Sequence, residues 1–504
     1  MGEESFPNKT SMPHVGIVGA GVSGLRCAEI LLSHGFKVTI LEARDRIGGR
    51  ICQSDELGYT VDIGPNWIHA SDDENPILKL ANETHTPLHW WNGKQLIYDS
   101  AGNKLLDSKA DRLSTLLWEI IDEAFSISAK ARDEDRGKSI SLEQSLYDFI
   151  KMKAVEKLPD REERQILIQM SEMWGAYVGE PVWKQSLRFA WMEECCGGDE
   201  VFVASSYSAI LDKISKSAWE GGEIILNTKI VSVIAPPREI PNELPVTLTA
   251  EDGKEYSFDL VVMTTPLGWL QKNMNCFHPA LPPRLSSAIH NLKLSQLEKV
   301  FITFPSAFWI SDRKPDSDSF PSYTNWLTPL YAGDKNPRAW PQEMWNLAAF
   351  KGPNKHPTIL FYLYGECSRY IVNSIHGKSK HEKFVFLEDF FFPYYSRLPN
   401  YNAASTACFP EAILATEWLK DDLCGNASYC NFQVGVEEAD VDVQTIRRGC
   451  EDRGLWFCGE HAAPFEECGT VAGAYLSGES VAKNIVKLYE EESTSGKNVS
   501  SRSM

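Results

Sequence analysis

Val15-Gly-Ile-Val-Gly-Ala-Gly-Val-Ser-Gly24 is the stretch of this chain that decides its fold. An apolar run, long enough for one buried strand, leads into a turn with the spacing Gly-x-Gly-x-x-Gly. Apolar residues then recur at helical spacing, and a second apolar run, Val38-Thr-Ile-Leu41, ends at Glu42. Strand, glycine turn, helix, strand and acid follow one another in the order that a dinucleotide-binding βαβ unit requires.

Each part of this unit has a physical task. Gly19 permits the tight turn, Gly21 lets the backbone approach a pyrophosphate, and Gly24 lets the helix pack closely on the strand. The helix N-terminus around Ser23 offers free N–H groups and the positive end of its dipole to the phosphates. Glu42 can accept hydrogen bonds from a ribose diol. The alternative, a glycine turn between any strand and helix, is disfavoured by these flanks and by an acid 18 residues after Gly24.

The continuation Glu42-Ala43-Arg44-Asp-Arg-Ile-Gly-Gly49-Arg50 adds a second glycine pair and three arginines. The glycines let another backbone segment approach the nucleotide, and Arg50 can reach a phosphate. With a glycine turn, an acid and Gly-Gly-Arg in this order, the chain resembles the FAD-dependent amine oxidase superfamily. The resemblance implies an α/β fold, in which a Rossmann-like FAD-binding domain of the GR2 type is interleaved with an α+β substrate domain.

A second segment, Gly64-Pro-Asn66-Trp67-Ile-His69, matches the part of the family that lies over the flavin. Acetylpolyamine oxidases resemble this sequence in having histidine at the last position, where plant polyamine oxidases tend to have glutamate. A neutral imidazole at His69 could accept a hydrogen bond from a protonated substrate amine. The alternative is an ordinary surface histidine, with cation recognition left to acidic residues further along the chain, namely Glu193, Glu194 and Asp199.

Lys299 and the segment from Trp418 to Tyr429 match the family where it contacts the flavin ring. From its position alone, Lys299 is an ordinary strand-edge lysine. In the family, a lysine at this place holds a water against the flavin N5. Monoamine oxidases attach FAD through a cysteine whose counterpart here is Ser428, so the resemblance implies non-covalent FAD. Tyr429 is the candidate for one wall of the cage that holds the amine.

The remaining cofactor contacts are predicted near the middle and the end of the chain. The family places a backbone contact to adenine at Ile230, with a slip of one residue to Val231 as the alternative. It places the Gly459-Glu460 pair at the ribityl and phosphate part of FAD. The helix that begins after Gly469-Thr-Val points at the N1–C2=O edge of the flavin, where its dipole would stabilise the reduced anion.

The predicted FAD-binding residues are Gly19, Gly21, Ser23, Gly24, Glu42, Ala43, Arg44, Gly49, Arg50, Gly64, Asn66, Trp67, Ile230, Val231, Thr265, Trp418, Tyr429, Gly459, Glu460, Thr470 and Val471. The predicted catalytic residues are Lys299 and His69. The predicted substrate contacts are His69, Tyr429, Thr470 and Glu194. No metal site is expected.

Composition bounds the class of protein. A chain of 504 residues is too long for one core of ordinary size, which favours two domains. The net charge of −19 argues against nucleic acid and anionic membranes as partners, and it suits a small cationic substrate, although acidic surfaces also serve solubility.

No stretch approaches the roughly 20 apolar residues of a membrane span. Twelve cysteines without a Cys-x-x-Cys motif indicate reduced thiols. The polar start leaves no room for a signal peptide, so we expect a cytoplasmic location, with the peroxisome left open.

The predicted domains are discontinuous. The FAD-binding domain is expected to comprise 12–90, 222–290 and 421–488. The helical segment 91–221 and the β-rich segment 291–420 form the substrate domain, and 489–504 form a disordered tail. The charged run at 130–138 is interpreted as a solvated linker between helices.

The resemblance implies an oxidase that removes hydride from a carbon next to an amine nitrogen, most readily of spermine, spermidine or their acetylated forms. The imine is hydrolysed to aldehyde and amine. Only one dinucleotide motif occurs, so the flavin is expected to be reoxidised by molecular oxygen, giving hydrogen peroxide. The alternatives are an L-amino-acid oxidase, a monoamine oxidase and a non-catalytic flavin-binding scaffold. Histone demethylation is disfavoured because no inserted coiled-coil pattern or extra N-terminal domain is evident.

Overall fold

The computed structural model describes residues 12–69, 74–91, 93–193, 200–238, 244–310 and 320–500. The acids Glu194 and Asp199 lie outside this part of the chain. The α-helices within it are Val22–Ser33, Pro76–Glu83, Asp107–Asp135, Leu146–Lys157, Arg161–Met170, Trp174–Val178, Ser208–Gly221, Leu267–Lys272, Pro283–Asn291, Gly365–Ile375, Lys380–Tyr395, Ala439–Arg448 and Val471–Ser500.

A parallel sheet of five strands organises the first layer. Its strands, in spatial order, are Leu455–Phe457, Leu260–Met263, His14–Val18, Lys37–Leu41 and Glu223–Ile225. Val15 and Ile17 enter one hydrophobic core and Val18 enters another, because successive side chains of a strand point to opposite faces. Both faces are therefore covered, which explains why these strands are continuous apolar runs. The predicted α/β class is confirmed.

A second, six-stranded sheet forms the layer over the cavity. Its strands, in spatial order, are Ala412–Ala415, Leu297–Thr303, Thr358–Tyr364, Gln342–Asn346, Tyr323–Trp326 and Gln95–Tyr98. All neighbouring pairs are antiparallel except the last, which is parallel.

Further strands form four smaller sheets. They are Glu255–Phe258, Val246–Ala250, Ile230–Ile234 and Phe277–His278; Trp67–Ile68, Val201–Val203 and Leu88–Trp90; Lys293–Leu294 and Cys430–Asn431; and Gln53–Ser54 and Val61–Asp62.

The parallel sheet draws its strands from all three segments predicted for the FAD-binding domain, while the limits of the domains stay a prediction. The helix Asp107–Asp135 includes most of the charged run that was interpreted as a linker, because charged residues form helices readily when one face is solvated. The last helix continues to Ser500, unlike the tail predicted for 489–504, since no proline interrupts it; residues 501–504 lie outside the described part.

The predicted β-rich layer also contains helices. Lys380–Tyr395 begins at a capping box, in which the Ser379 hydroxyl accepts from the Glu382 N–H and the Glu382 carboxylate accepts from the Ser379 N–H. Ser-x-x-Glu is a helix-start signal that could have been found in the sequence.

Candidate active site

One cavity of about 910 Å³ extends between the two layers. Its wall includes the predicted site residues with three exceptions. Gly24 lies behind the turn, Val231 is exposed at the surface, and Glu194 lies outside the described residues. Ile230 lines the cavity, so of the two alternatives for the adenine contact the geometry favours Ile230.

The glycine turn forms one end of the cavity. A Cβ at Gly24 would collide with the carbonyl oxygen of Gly19, and Gly19 itself has a φ of +111°, so each glycine is required by local geometry. A Cβ at Gly21 would meet no atom within 4 Å, which leaves space for a ligand. The helix Val22–Ser33 has no side-chain cap, so its first N–H groups remain available to a phosphate.

Glu42 lies where the second strand ends. It is 6% exposed, and its carboxylate accepts hydrogen bonds from the N–H groups of Ala20 (2.7 Å) and Arg44 (2.8 Å). These bonds fix the carboxylate in the wall of the cavity, as a ribose-binding acid requires. Nearby, the Thr265 hydroxyl is buried and has no hydrogen-bond partner among the described residues. An open glycine turn, a fixed acid and an unpartnered hydroxyl fit a dinucleotide.

Arg50 connects the middle of the cavity to the last part of the chain. Its Nη1 donates to the carbonyl oxygen of Ser428 (2.6 Å) and to the Glu460 carboxylate (3.0 Å). Burial acts to raise the pKa of Glu460, but the charge and hydrogen bond of Arg50, together with smaller contributions from His461 and Cys430, hold that pKa below its ordinary value. The Ser428 hydroxyl accepts from the N–H of Leu297 and donates to the carbonyl oxygen of the same residue, at 2.9 Å each.

At the other end of the cavity, two side chains that are distant in the sequence donate hydrogen bonds to the carbonyl groups of two consecutive residues. Lys299 Nζ donates to the carbonyl oxygen of Gly64, and Trp418 Nε1 donates to that of Ile63 (3.1 Å). Lys299 is 5% exposed, and burial lowers its pKa to about 7, although Asp62 and Glu298 act to raise it.

A chain of hydrogen bonds lies beside Lys299. Trp67 Nε1 donates to the Tyr362 hydroxyl (3.0 Å), which donates to Asn66 Oδ1 (2.9 Å). Tyr429 donates its hydroxyl hydrogen to the carbonyl oxygen of Tyr177 (2.7 Å). These contacts fix the aromatic side chains that face the cavity at this end.

His69 has a partner that the sequence did not predict. Its Nδ1 lies 2.6 Å from Glu200 Oε2. Burial acts to lower the pKa of His69, but the charge and hydrogen bond of Glu200 outweigh it and raise that pKa above its ordinary value. His69 therefore stays protonated to a higher pH than a free histidine does. The sequence analysis had instead expected a neutral imidazole at this position.

Thr470 is the N-terminal cap of the last helix. Its hydroxyl accepts from the N–H of Gly473 (2.8 Å) and donates to Glu467. Thr470 and Val471 line the cavity, and the helix begins there as predicted.

Sequence reasoning named Glu193 only as an alternative for cation recognition and missed the other residues of this part of the wall. Glu343 and Glu193 both line the cavity, and burial raises the pKa of each to about 7. Trp118, Trp174 and Tyr177 form an aromatic cluster in which the latter two rings are stacked with centroids 5.5 Å apart. They come from a stretch that matches the family weakly, and helical spacing alone does not separate them from core residues.

Within the described ranges, no group of three or more His, Cys, Asp or Glu side chains is arranged to hold a metal ion. The same ranges contain no helix that is long and apolar enough to cross a membrane.

The parallel sheet, the glycine turn and the fixed acid define a dinucleotide-binding protein of the α/β class. The chain belongs to the family of flavin-containing amine oxidoreductases, whose sequence model matches residues 22–486. This confirms the resemblance inferred from the motifs, and FAD is its cofactor.

Relatives of two kinds are similar to this chain. Probable polyamine oxidase 4 of Arabidopsis thaliana is 30% identical over 315 residues, which is 59% of each chain. Human lysine-specific histone demethylase 2 is 28% identical over 305 residues, which is 58% of this chain and 35% of the demethylase. The matched segment thus spans well under two thirds of either relative. A structure of putrescine oxidase bound to putrescine is 18% identical with a TM-score of 0.68, covering 94% of this chain and 99% of that one. This last likeness establishes the fold.

Proposed function

We propose that this chain is an FAD-dependent polyamine oxidase that uses molecular oxygen as its acceptor. The observation that supports the proposal is the combination of acidic and aromatic side chains in the wall of the cavity that also contains Lys299. There, Glu343, which is buried, and Glu193, which is half-buried, have no Lys, Arg or His partner within 4 Å among the described residues, and an aromatic cluster lies in the same cavity. Buried carboxylates without a counter-ion suit a cationic ligand, and aromatic faces attract ammonium groups.

The residues that would hold FAD are those of the glycine turn, Glu42, the Arg50–Glu460 pair and the start of the last helix. When bound, FAD supplies a hydride acceptor for the carbon next to the amine nitrogen.

Lys299 is proposed to hold a water molecule at the reacting end. With its pKa lowered to about 7, a large share of Lys299 is uncharged at neutral pH and can accept a hydrogen bond. A water held there can add to the imine, which gives the aldehyde and the shortened amine. Tyr362 and Tyr429, both fixed by hydrogen bonds, are proposed to flank the amine.

An L-amino-acid oxidase is disfavoured by the arginines. The two that line the cavity in the described part, Arg44 and Arg50, are bound to Asp421 and to Glu460. Neither remains for a substrate carboxylate.

The test is anaerobic reduction of the bound flavin by a panel of amines. Spermine, spermidine and N-acetylspermidine are compared with benzylamine, L-leucine and a peptide that contains dimethyl-lysine. We expect rapid loss of the oxidised flavin spectrum with at least one polyamine. Reduction by L-leucine, benzylamine or the peptide alone would contradict the proposed substrate class, and no reduction by any amine would indicate a flavin-binding scaffold. The cytoplasmic location stays a prediction.

A further inference from the structure

Three neighbouring strands of the six-stranded sheet place one residue each in a row along the cavity. Lys299 is the register partner of Tyr362, and Tyr362 is the register partner of Glu343. Directly paired residues of adjacent strands project from the same face of a sheet, and all three side chains line the cavity. Because adjacent strands are about 4.8 Å apart, the backbone of Glu343 lies roughly 10 Å from that of Lys299.

Glu343 differs from the paired acids in the same wall. Glu460 pairs with Arg50, and Glu200 pairs with His69. Glu343 is 6% exposed and accepts hydrogen bonds from two neutral donors, Trp345 Nε1 (3.0 Å) and the Tyr323 hydroxyl (3.2 Å). No basic side chain in the described part of the chain lies within 4 Å of its carboxylate, and burial raises its pKa to about 7. The carboxylate is therefore only partly ionised at neutral pH, and a bound ammonium group would supply the missing counter-ion.

The donors also fix the direction of the carboxylate. Tyr323, which donates to Glu343, accepts in turn from Asn325 Nδ2 (3.0 Å). The Trp345 ring lines the cavity beside the acid. A carboxylate held by two donors, beside an aromatic ring and open to a cavity, has the features of a preformed ammonium site.

We propose that Glu343 binds the second ammonium group of a diamine or polyamine whose first nitrogen reacts near Lys299. This inference rests on the proposed function and identifies the residue that distinguishes di- and polyamines from monoamines. It also identifies which end of the substrate must be charged. Acetylation of the far nitrogen removes the charge that Glu343 would bind, whereas the nitrogen next to the reacting carbon must stay an amine, because an amide nitrogen does not assist hydride removal.

The experiment measures binding to the FAD-loaded protein under anaerobic conditions by calorimetry. The ligands are 1,4-diaminobutane, its mono-acetylated form, and 1-aminopentane, in which a methyl group replaces one ammonium. In the parent protein we expect the diamine to bind more tightly than 1-aminopentane. Glu343→Gln should weaken diamine binding by about thirtyfold or more and change 1-aminopentane binding little, because the variant keeps an acceptor for Trp345 but loses the charge.

Two further variants make the test specific. Glu193→Gln removes the other carboxylate of the cavity wall that lacks a basic partner, and Glu366→Gln removes a carboxylate whose side chain is 60% exposed. Loss of the diamine preference in Glu193→Gln but not in Glu343→Gln would overturn the proposal, as would equal weakening of all ligands in Glu343→Gln. Binding needs no turnover, so a Glu343-dependent preference without flavin reduction would support this inference while contradicting the proposed function.

Discussion

Lys299 lies in the interior of a strand, and its ammonium group reaches a loop from the first part of the chain. Burial lowers its pKa to about 7, and its bond to the carbonyl oxygen of Gly64 fixes the end of the side chain. A side chain in this state can exchange between donating to the carbonyl group and accepting from a water molecule.

Lys299→Met should retain FAD but slow turnover by about a hundredfold, because the apolar side chain cannot hold water. Rapid-mixing measurements of flavin reduction and reoxidation provide the check. Lys293→Met, at an exposed strand position, serves as the matched control. Wild-type rates of both half-reactions in Lys299→Met would leave the lysine with a structural role only.

The His69–Glu200 pair predicts a pH dependence. The pKa of His69 is raised in the folded protein, so the stabilisation by the pair is complete below the unfolded pKa of about 6.5 and is lost as the pH rises through the folded value. Glu200→Gln removes the opposing charge and leaves burial, which lowers the pKa of His69. Nuclear magnetic resonance titration of labelled histidine should therefore give a lower midpoint in the variant. An unchanged midpoint would mean that Glu200 does not contact His69 in solution.

At the scale of elements, the strand Leu297–Thr303 has a buried ionisable side chain on each face. Lys299 faces the cavity, while the buried carboxylate of Glu298 accepts four hydrogen bonds on the other side. They come from the Thr416 hydroxyl (2.5 Å), the N–H groups of Leu419 (2.9 Å) and Trp418 (3.1 Å), and Gln296 Nε2 (2.7 Å). Glu298 thus fixes the loop that places Trp418 against the carbonyl group of Ile63.

Glu298→Gln should lower the free energy of unfolding by about 2 kcal/mol and weaken FAD binding. Each oxygen of the Glu298 carboxylate accepts from two donors. Whichever way the amide of glutamine is turned, its NH₂ group would face two donors and could not accept a hydrogen bond from them. Chemical denaturation and FAD titration measure the two effects, with Glu366→Gln as a surface control. If both quantities match those of the parent, the loop does not depend on this carboxylate.

The parts of the site that could be predicted from the sequence are those whose residues lie close together along the chain. Gly19, Gly24 and Glu42 act within one βαβ unit, so their spacing along the chain carries the information. Glu200 and Glu343 could not be found in this way. Glu200 contacts a histidine 131 positions earlier. Glu343 lies in the same row as Lys299 only because both pair with Tyr362, which is 63 positions after Lys299. No local pattern records either contact.

At the scale of the whole molecule, the cavity proposed to hold FAD is lined by residues from the start, the middle and the end of the chain. Purified protein should be yellow and should lose thermal stability when FAD is removed. A ligand present at a thousand times its Kd stabilises the folded state by about 4 kcal/mol. Calorimetric melting with and without FAD measures the effect, and equal melting temperatures would contradict it.

Acid denaturation should release intact FAD into the supernatant, since serine stands at the expected attachment position, Ser428. The neighbouring thiols of Cys424 and Cys430 line the cavity and are buried. Burial raises the pKa of Cys424 to about 11, which keeps that thiol protonated. Flavin that precipitates with the polypeptide would contradict non-covalent binding.

The helix that begins at Val471 packs on the helix that follows the glycine turn, so closely that a Cβ at Gly478 would collide with the backbone of Ser23. The edge strand Leu455–Phe457 also joins the parallel sheet late in the sequence. During translation, the turn that is proposed to bind the phosphates is made early but gains this support only after most of the chain has been synthesised. At 5–20 residues per second, about 450 residues take roughly 20–90 seconds. Acquisition of FAD is therefore expected near the end of synthesis, and a nascent chain arrested before Leu455 should not retain the cofactor.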